Sequence, residues 1–230
     1  MVNTMGDFVE ALNLMLLELP IGGASKPQLS SSVVEHMVGK GSEHLIRSVI
    51  SHLGRQQEAG RPSFDAKALS SEALFHTAFS SYQKHYSLIN GQFSTVYPGV
   101  VEGLEGLQKA GFKLACLTNK PLAFAQTLLK IKQLDGFFSL VFGGDSFERK
   151  KPDPLPLLKT CEALGTLPGR TLMIGDSSND AQAARAAGCD VVLVTYGYNH
   201  GEPIDQVDAD GFVNSLASLQ LHVNSKNRPA

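Results

Sequence analysis

The residues of this chain whose spacing best fits a chemical role are two aspartates that follow a short apolar run. Residues 171–174 form an apolar run of the kind that makes a strand buried on both faces, and a glycine ends it. Asp176 follows this strand, and Asp180 lies four residues later, in the first turn of a helix that Ser177 or Ser178 would cap. Because ligands bind at the carboxyl ends of strands in an open α/β sheet, both acids are placed where chemistry would occur.

Asp176 and Asp180 have two interpretations. Mg²⁺ prefers a few carboxylate oxygens in near-octahedral geometry and keeps waters at its other positions, so two acids on one strand-to-helix turn would supply part of that shell. The alternative is a capped turn with one solvated aspartate and one aspartate at the start of a helix. This stretch by itself does not decide between them.

A hydroxyl and an amide side chain follow a second predicted strand. Residues 113–117 lead directly into Thr118 and Asn119, and Pro121 then suits the first position of a helix. A hydroxyl next to a helix-start amide would form a cradle for a phosphate group. The alternative for Thr-Asn after a strand is an ordinary turn.

A lysine follows a third predicted strand, over residues 139–142. Lys151 lies in the run RKKPDP, where two prolines keep the backbone stiff. A rigid lysine beside two aspartates would neutralise a transferring phosphoryl group and balance the charge of the acids. By itself this run is typical of a solvated loop, but the order of the three stretches and their shared sheet edge favour one common site.

The hydrophobic pattern divides the chain into a helical first part and an α/β second part. Apolar residues recur at intervals of three and four over residues 5–19 and 70–88, which predicts helices there. From about residue 91 strands alternate with helices, which predicts βαβ units and a parallel sheet. The predicted strands are residues 113–117, 139–142, 171–174 and 190–194, and the predicted helices are residues 100–110, a segment from 121, one after 154 and one ending at 187.

These patterns give three predicted segments. We expect a helical domain over residues 1–90, an α/β core domain over residues 91–223 and a flexible tail over residues 224–230. In the helical part, Lys40 stands between two glycines that separate two short helices. This turn would bring a cation to a bound anion, and its alternative is an exposed helix-to-helix turn.

Composition excludes several classes of function. A formal charge of −2, from 20 basic and 22 acidic residues, gives no electrostatic case for binding nucleic acid or an anionic membrane surface. No apolar run approaches the roughly 20 residues of a membrane span, and the first residues lack the pattern of a secretion signal, so we expect a cytoplasmic protein. Cys116, Cys161 and Cys189 are scattered without the spacing of a zinc site, and we expect them reduced, in or near the core.

Three motifs together resemble those of the haloacid dehalogenase superfamily. The runs LTN at 117–119, KPDP at 151–154 and GDSSND at 175–180 are similar to the second, third and fourth motifs of that superfamily. The resemblance covers nearly the whole chain. VYPGV at 96–100 resembles the entry to its core, VGKG at 38–41 and the helices around it resemble its helical cap, and VTYGYNHGEPI at 194–204 is similar to a segment of its phosphoglycolate phosphatases.

The resemblance implies Mg²⁺-dependent hydrolysis of a phosphomonoester through an aspartyl-phosphate. Thr118 and Asn119 would hold the phosphate and Lys151 would stabilise charge. Asp176 and Asp180 would form the metal site, with Asp176 as the ligand and Asp180 in support. The partner would be a small phosphorylated metabolite over which the cap, with Lys40, closes to exclude water. We expect a monomer or a homodimer.

The first motif of the superfamily, DxDGT at the end of a first strand, is not in this sequence. That motif carries the nucleophilic aspartate, and neither Asp7 nor Glu10 replaces it, because both lie inside the first predicted helix. In the superfamily the first strand lies between the strands represented here by residues 113–117 and 171–174. We expect that these strands pair directly or that the chain folds poorly, that the sequence derives from a truncated gene or a late start codon, and that this chain has little or no activity.

Three functions stay open at this point. The first is a phosphatase of this superfamily, with 2-phosphoglycolate as the favoured substrate. The second is a non-catalytic protein that keeps the phosphate and Mg²⁺ pocket for binding or regulation. The third is another activity of the superfamily: a dehalogenase, against which Asp176 argues as a metal-ligand acid that metal-free chemistry does not need, or a sugar phosphomutase.

Overall fold

A computed structural model of the protein describes residues 1–21, 26–58 and 71–219. The chain forms two units: a helical unit, Asn3–Thr95, and an α/β unit made of Met1–Val2 and Val96–Ala230. The change from one unit to the other therefore comes five residues after the predicted boundary at residue 90. The tail predicted over residues 224–230 lies outside the described residues.

Four helices form the described part of the helical unit. They are α1 (Met5–Glu18), α2 (Ser31–Glu35), α3 (Ser42–Glu58) and α4 (Glu72–Ile89). The side chains of Leu12 and Met15, at helical spacing on α1, are completely buried, as the periodicity predicts. Helix α1 packs against α4, where the rings of Phe8 and Tyr86 stack with centroids 5.5 Å apart. No helix among the described residues has the length and apolar character needed to cross a membrane.

Asp7 is part of the architecture of the helical unit. Its buried carboxylate accepts the N–H groups of Gly91 at 2.8 Å and of Phe93 at 2.7 Å, which fixes the segment after α4 to the start of α1. Gly6 makes this approach possible, because a Cβ at that position would lie 2.4 Å from the Phe93 carbonyl oxygen. Asp7 is therefore committed to backbone hydrogen bonds within its own unit.

The α/β unit contains parallel strands separated by helices, as predicted. Its principal strands are β3 (Ala115–Leu117), β4 (Leu140–Phe142), β5 (Leu172–Gly175), β6 (Asp190–Val194) and β7 (Gly211–Val213). Two-residue strands, β1 (Val2–Asn3) and β2 (Thr95–Val96), lie where the chain passes from one unit to the other. The helices of the α/β unit are α5 (Val100–Lys109), α6 (Leu122–Ile131), α7 (Leu155–Leu164) and α8 (Ser178–Ala187).

The strands of the α/β unit form two separate parallel ladders. Strand β3 pairs with β4, and β5 pairs with β6, which in turn pairs with β7. Among the described residues no backbone ladder joins β3 to β5, so the first of the two expected outcomes, direct pairing of these strands, is wrong, and the second, poor folding, stays a prediction. Side chains still connect the two ladders, because Ile174 of β5 packs on the cluster around Cys116, and Leu117 of β3 packs on the cluster around Met173. All three cysteines are buried free thiols, as expected.

Candidate active site

Loops after β3, β4 and β5 carry the residues that the sequence predicts for the site. Because β3 and β4 are parallel, the turns that follow them leave their ladder at the same edge. Asp176 directly follows β5, at the carboxyl end of the other parallel ladder. The loop containing Lys151 connects the two ladders, since its ammonium group contacts both the end of β3 and the first turn of α8.

Lys151 and Asp180 form a buried ion pair at the centre of this site. The Lys151 Nζ donates to Asp180 Oδ1 at 2.7 Å and to the Leu117 carbonyl oxygen at 2.8 Å. Only 8% of the lysine side chain and 6% of the aspartate side chain are exposed, so solvent screens the pair little. Burial alone would raise the pKa of Asp180, but the charge of Lys151 and its hydrogen bond outweigh burial and lower it.

Asp180 also organises the turn between β5 and α8. Its Oδ2 accepts the Asp176 N–H at 3.0 Å and the Ser177 hydroxyl at 3.0 Å. Gly175 lets the aspartate approach the strand, because a Cβ there would lie 2.3 Å from the Cβ of Asp180. Both carboxylate oxygens of Asp180 are thus engaged by protein groups.

The carboxylate of Asp176 has a different environment. Its Oδ2 accepts the Tyr198 N–H at 3.3 Å, and a Cβ at Gly197 would lie 2.2 Å from the same oxygen. Burial, followed by the charge of Asp180, raises the pKa of Asp176 to about 6. Burial and the Asp180 charge thus outweigh Lys151 and the Tyr198 N–H, which favour the charged form of Asp176.

Thr118 and Asn119 have different positions within the site. The Thr118 Oγ1 accepts the Lys120 N–H at 3.1 Å, and within the described part of the chain its own hydroxyl hydrogen has no protein acceptor. The Asn119 side chain donates to the Lys151 carbonyl oxygen at 2.8 Å and so holds the loop after β4 beside the loop after β3. Thr118 therefore offers a donor to a ligand, while Asn119 fixes the backbone of Lys151.

The expected helix-start amide is not available for a phosphate. Helix α6 begins at Leu122, whose N–H donates to the Asp145 carboxylate at 2.7 Å, and Pro121 precedes the helix as its cap residue. Asp145 follows β4, 23 residues further along the chain, so local sequence gave no sign of this cap. The Leu122 amide therefore does not join the Thr118 hydroxyl in the predicted cradle.

Lys40, the remaining predicted site residue, belongs to the helical unit. It is exposed in the turn between α2 and α3. Gly39 and Gly41 on either side have φ values of +104° and +94°, a backbone conformation that favours glycine. The two glycines therefore shape the turn that presents the lysine.

Sequence reasoning overlooked one further DxDG run, at residues 208–211. Its two carboxylates bind Arg185: Asp208 at 3.0 Å and Asp210 at 2.8 Å. Asp210 also accepts the Val191 N–H at 2.7 Å, which fixes the run to the start of β6. These two acids are therefore engaged in contacts that stabilise the fold.

The donor set of the site fits a hard cation only in part. Carboxylate oxygen is the ligand type that Mg²⁺ prefers, and a nearby divalent cation would favour the charged form of Asp176, which burial disfavours. Within residues 1–21, 26–58 and 71–219, no group of three or more His, Cys, Asp or Glu side chains could enclose a metal ion. A metal here would therefore need waters, a phosphate group or residues outside this set to complete its coordination.

The fold and the site together define the class of protein. Parallel strands end at a buried lysine–aspartate pair, a hydroxyl donor and a second acid, an arrangement suited to an anionic phosphate with a bound cation. The chain belongs to the family of haloacid dehalogenase-like hydrolases, whose model matches residues 1–194.

Relatives of the chain are phosphatases. It is 41% identical, over 223 residues, to a phosphoglycolate phosphatase of Thiobacillus denitrificans, covering 97% of this chain and 91% of the relative. It is also 41% identical, over 217 residues, to a phosphoglycolate phosphatase of Nitrosospira multiformis, covering 94% and 88%. Among solved structures it resembles a predicted phosphoglycolate phosphatase of Haemophilus somnus 129PT, with a TM-score of 0.83, 32% identity and coverage of 94% and 90%.

Proposed function

We propose that the site serves Mg²⁺-dependent hydrolysis of 2-phosphoglycolate to glycolate and phosphate. The observation that carries the proposal is the buried contact of Lys151 with Asp180 and with the end of β3. This contact holds an ammonium group at the residue that precedes Thr118 and at the aspartate that also accepts the Asp176 N–H. The substrate is proposed from the relatives, which are named phosphoglycolate phosphatases at 41% identity.

Each site residue has a proposed task. Lys151 has three ammonium hydrogens, of which Asp180 and the Leu117 carbonyl take two, so the third is left to bind a phosphate oxygen. The Thr118 hydroxyl donates to a second phosphate oxygen, and Asn119 keeps the backbone of Lys151 in place. Because these donors are fixed before the substrate arrives, they need little reorganisation as charge develops on the phosphoryl group.

Asp176 would hold the metal, and Asp180 would support it by fixing the turn and Lys151. The bound Mg²⁺ would supply charge neutralisation at the phosphate oxygens. Direct ligation by Asp180 would compete with its protein contacts, because Oδ1 pairs with Lys151 and Oδ2 accepts two protein donors. This division of tasks agrees with the opposite directions of the two pKa shifts.

We propose that the nucleophile comes from a segment other than the three loops of the site. We propose that a strand carrying DxDGT fits between β3 and β5, where the described residues form no ladder. Without it the remaining groups bind and polarise the phosphate but cannot form the covalent intermediate. By comparison with the removal of catalytic nucleophiles from other enzymes, the chain by itself should be slower by about 10⁴-fold or more.

The helical unit is proposed to act as a cap, with Lys40 contributing a positive charge to substrate binding. We place the protein in the cytoplasm, which three free buried thiols and a small phosphorylated substrate support. A monomer or homodimer is sufficient for this function.

Phosphate release from 2-phosphoglycolate, measured with the chain joined to an upstream DxDGT strand, tests the assignment. K151M and T118A should each lower kcat/KM, by about 10²-fold or more for K151M, because the site loses a donor to the phosphoryl group. The control is K159A, which removes a lysine whose ion pair with Glu162 is largely exposed and should leave kcat/KM unchanged. Full activity of K151M would contradict the proposal.

A second candidate is a binding protein without catalysis. It is favoured by one observation: the phosphate donors and the acid are retained while the sequence lacks DxDGT. Inorganic phosphate binding without turnover, in the native product of the gene, would favour this candidate over the phosphatase.

A further inference from the structure

We propose that Asn199 is a positioning residue for Asp176, the acid to which the proposed function assigns the metal. This inference rests on the proposed function. Asn199 lies in the loop that follows β6, outside the runs LTN, KPDP and GDSSND but inside the run at 194–204 that also carries the resemblance. Asn199 acts on Asp176 through backbone groups of the two segments that contain these residues.

Asn199 connects two segments of chain with one buried side chain. Only 9% of the residue is exposed. Its Oδ1 accepts the Ser178 N–H at 2.8 Å, at the start of α8, and its Nδ2 donates to the Glu202 carbonyl oxygen at 3.0 Å. The Glu202 N–H in turn donates to the Asn199 carbonyl oxygen at 2.8 Å. The side chain thus closes its own loop and fixes that loop to the helix that follows Asp176.

The fixed loop supplies the protein donor to the Asp176 carboxylate. Tyr198, next to Asn199, donates its N–H to Asp176 Oδ2 at 3.3 Å, and no other described residue donates to that carboxylate. Gly197 has a φ of +115°, and a Cβ there would overlap the same oxygen at 2.2 Å. Only glycine therefore allows the loop to come this close.

A second contact supports the same loop. The Asn179 side chain lies 3.2 Å from the Nε2 of His200, so the residue after Asn199 also joins the loop to α8. His200 has a φ of +56°, an uncommon conformation for a residue that is not glycine. The loop is thus held in a defined shape directly beside the acid.

Hydrogen bonds of this kind orient the ligands of metal sites, and removing such a partner typically lowers metal affinity by about 10–100-fold. Loss of the Asn199 side chain should release the Tyr198 N–H from Asp176. The carboxylate would then lose its fixed orientation, although Asp176 itself is unchanged.

The matched control is Asn13, in the helical unit. Its side chain also accepts a backbone N–H and donates to a backbone carbonyl, both of Leu29, at 2.8 and 3.1 Å. N13A therefore removes the same kind of contact between a helix and a loop in a unit that does not contain Asp176. A purely structural role for Asn199 predicts that N199A and N13A behave alike.

The test compares wild type, N199A, N13A and D176N in two measurements on this chain: Mn²⁺ binding by electron paramagnetic resonance, and amide hydrogen exchange. We expect N199A to weaken Mn²⁺ binding by about tenfold or more, with N13A equal to wild type. We also expect the Tyr198 and Ser178 amides to exchange faster in N199A by about tenfold, the equivalent of one lost hydrogen bond. These amides should be unchanged in N13A.

The outcomes separate the two proposals. If D176N binds Mn²⁺ as wild type does, or if wild type binds none, the metal assignment of the proposed function fails for this chain. The hydrogen-exchange rate of the Tyr198 amide then decides by itself whether Asn199 has the positioning role. If N199A leaves Tyr198 exchange unchanged, or if N199A and N13A change Mn²⁺ binding equally, the positioning role is refuted.

Discussion

The buried pair of Lys151 and Asp180 gives the sharpest prediction about stability. D180N keeps the shape of the side chain but removes its charge. The asparagine oxygen can still accept the Asp176 N–H, and its NH₂ group then faces the Lys151 ammonium, donor against donor. The lysine would be left buried, with the Leu117 carbonyl as its remaining acceptor.

The size of the expected loss of stability in D180N follows from the burial of the pair. Both side chains are at most 8% exposed and their charged atoms are 2.7 Å apart. Removing one partner of such a pair costs about 3–5 kcal/mol, because the other charge stays in a site of low dielectric. For a domain of this size, about 2–4 °C per kcal/mol converts this into a fall in Tm of about 6–20 °C.

Urea unfolding followed by circular dichroism at neutral pH would measure the decrease in the free energy of unfolding for D180N, K151M and the double variant. The decrease in the double variant should be smaller than the sum of the decreases in the two single variants, since no unpaired charge remains. E162Q is the control, because its ion pair with Lys159 is exposed and screened by solvent. The reasoning is refuted if D180N is no less stable than E162Q, or if the losses of the single variants add in the double variant.

Three further predictions concern positions outside this pair. The hydrogen bond from Lys84 lowers the pKa of Glu18 from 4.5 to about 2, so its contribution to stability is present above about pH 4.5 and is lost as the pH falls towards 2. Unfolding midpoints at pH 5 and pH 3 should therefore differ more in wild type than in E18Q. G175A should lower the free energy of unfolding by about 1–3 kcal/mol, because the new methyl group overlaps Asp180. G106A, in open space on the exposed face of α5, should raise it by about 0.5–1 kcal/mol, and the same urea titration checks both. Equal midpoints for G175A and G106A would contradict the packing argument.

Local sequence predicts the elements with continuous apolar runs. Strand β6 was predicted to the residue, at 190–194, because an uninterrupted apolar run is bounded by polar residues. Strand β7 was missed, since its three residues follow an acidic run and gain their pairing only from β6. The convergence of Lys151 with Asp180 was predictable, because loops that follow parallel strands meet at one edge.

Contacts that depend on distant loops could not be predicted. Asp145 takes the Leu122 amide from 23 residues away, and Asn199 takes the Ser178 amide from 21 residues away. Neither residue carries a local signal for its partner, because short polar side chains are common in all loops. The gap between β3 and β5 likewise depends on tertiary packing, where side chains connect the ladders without backbone pairing.

The most direct test of the central claim is hydrolysis of 2-phosphoglycolate, with and without Mg²⁺, by this chain and by the same chain joined to an upstream strand carrying DxDGT. We expect Mg²⁺-dependent phosphate release from the extended chain and little or none from this chain alone. Mg²⁺-dependent turnover by this chain alone would contradict the assignment of the nucleophile to that strand, and with it the mechanism proposed for the site.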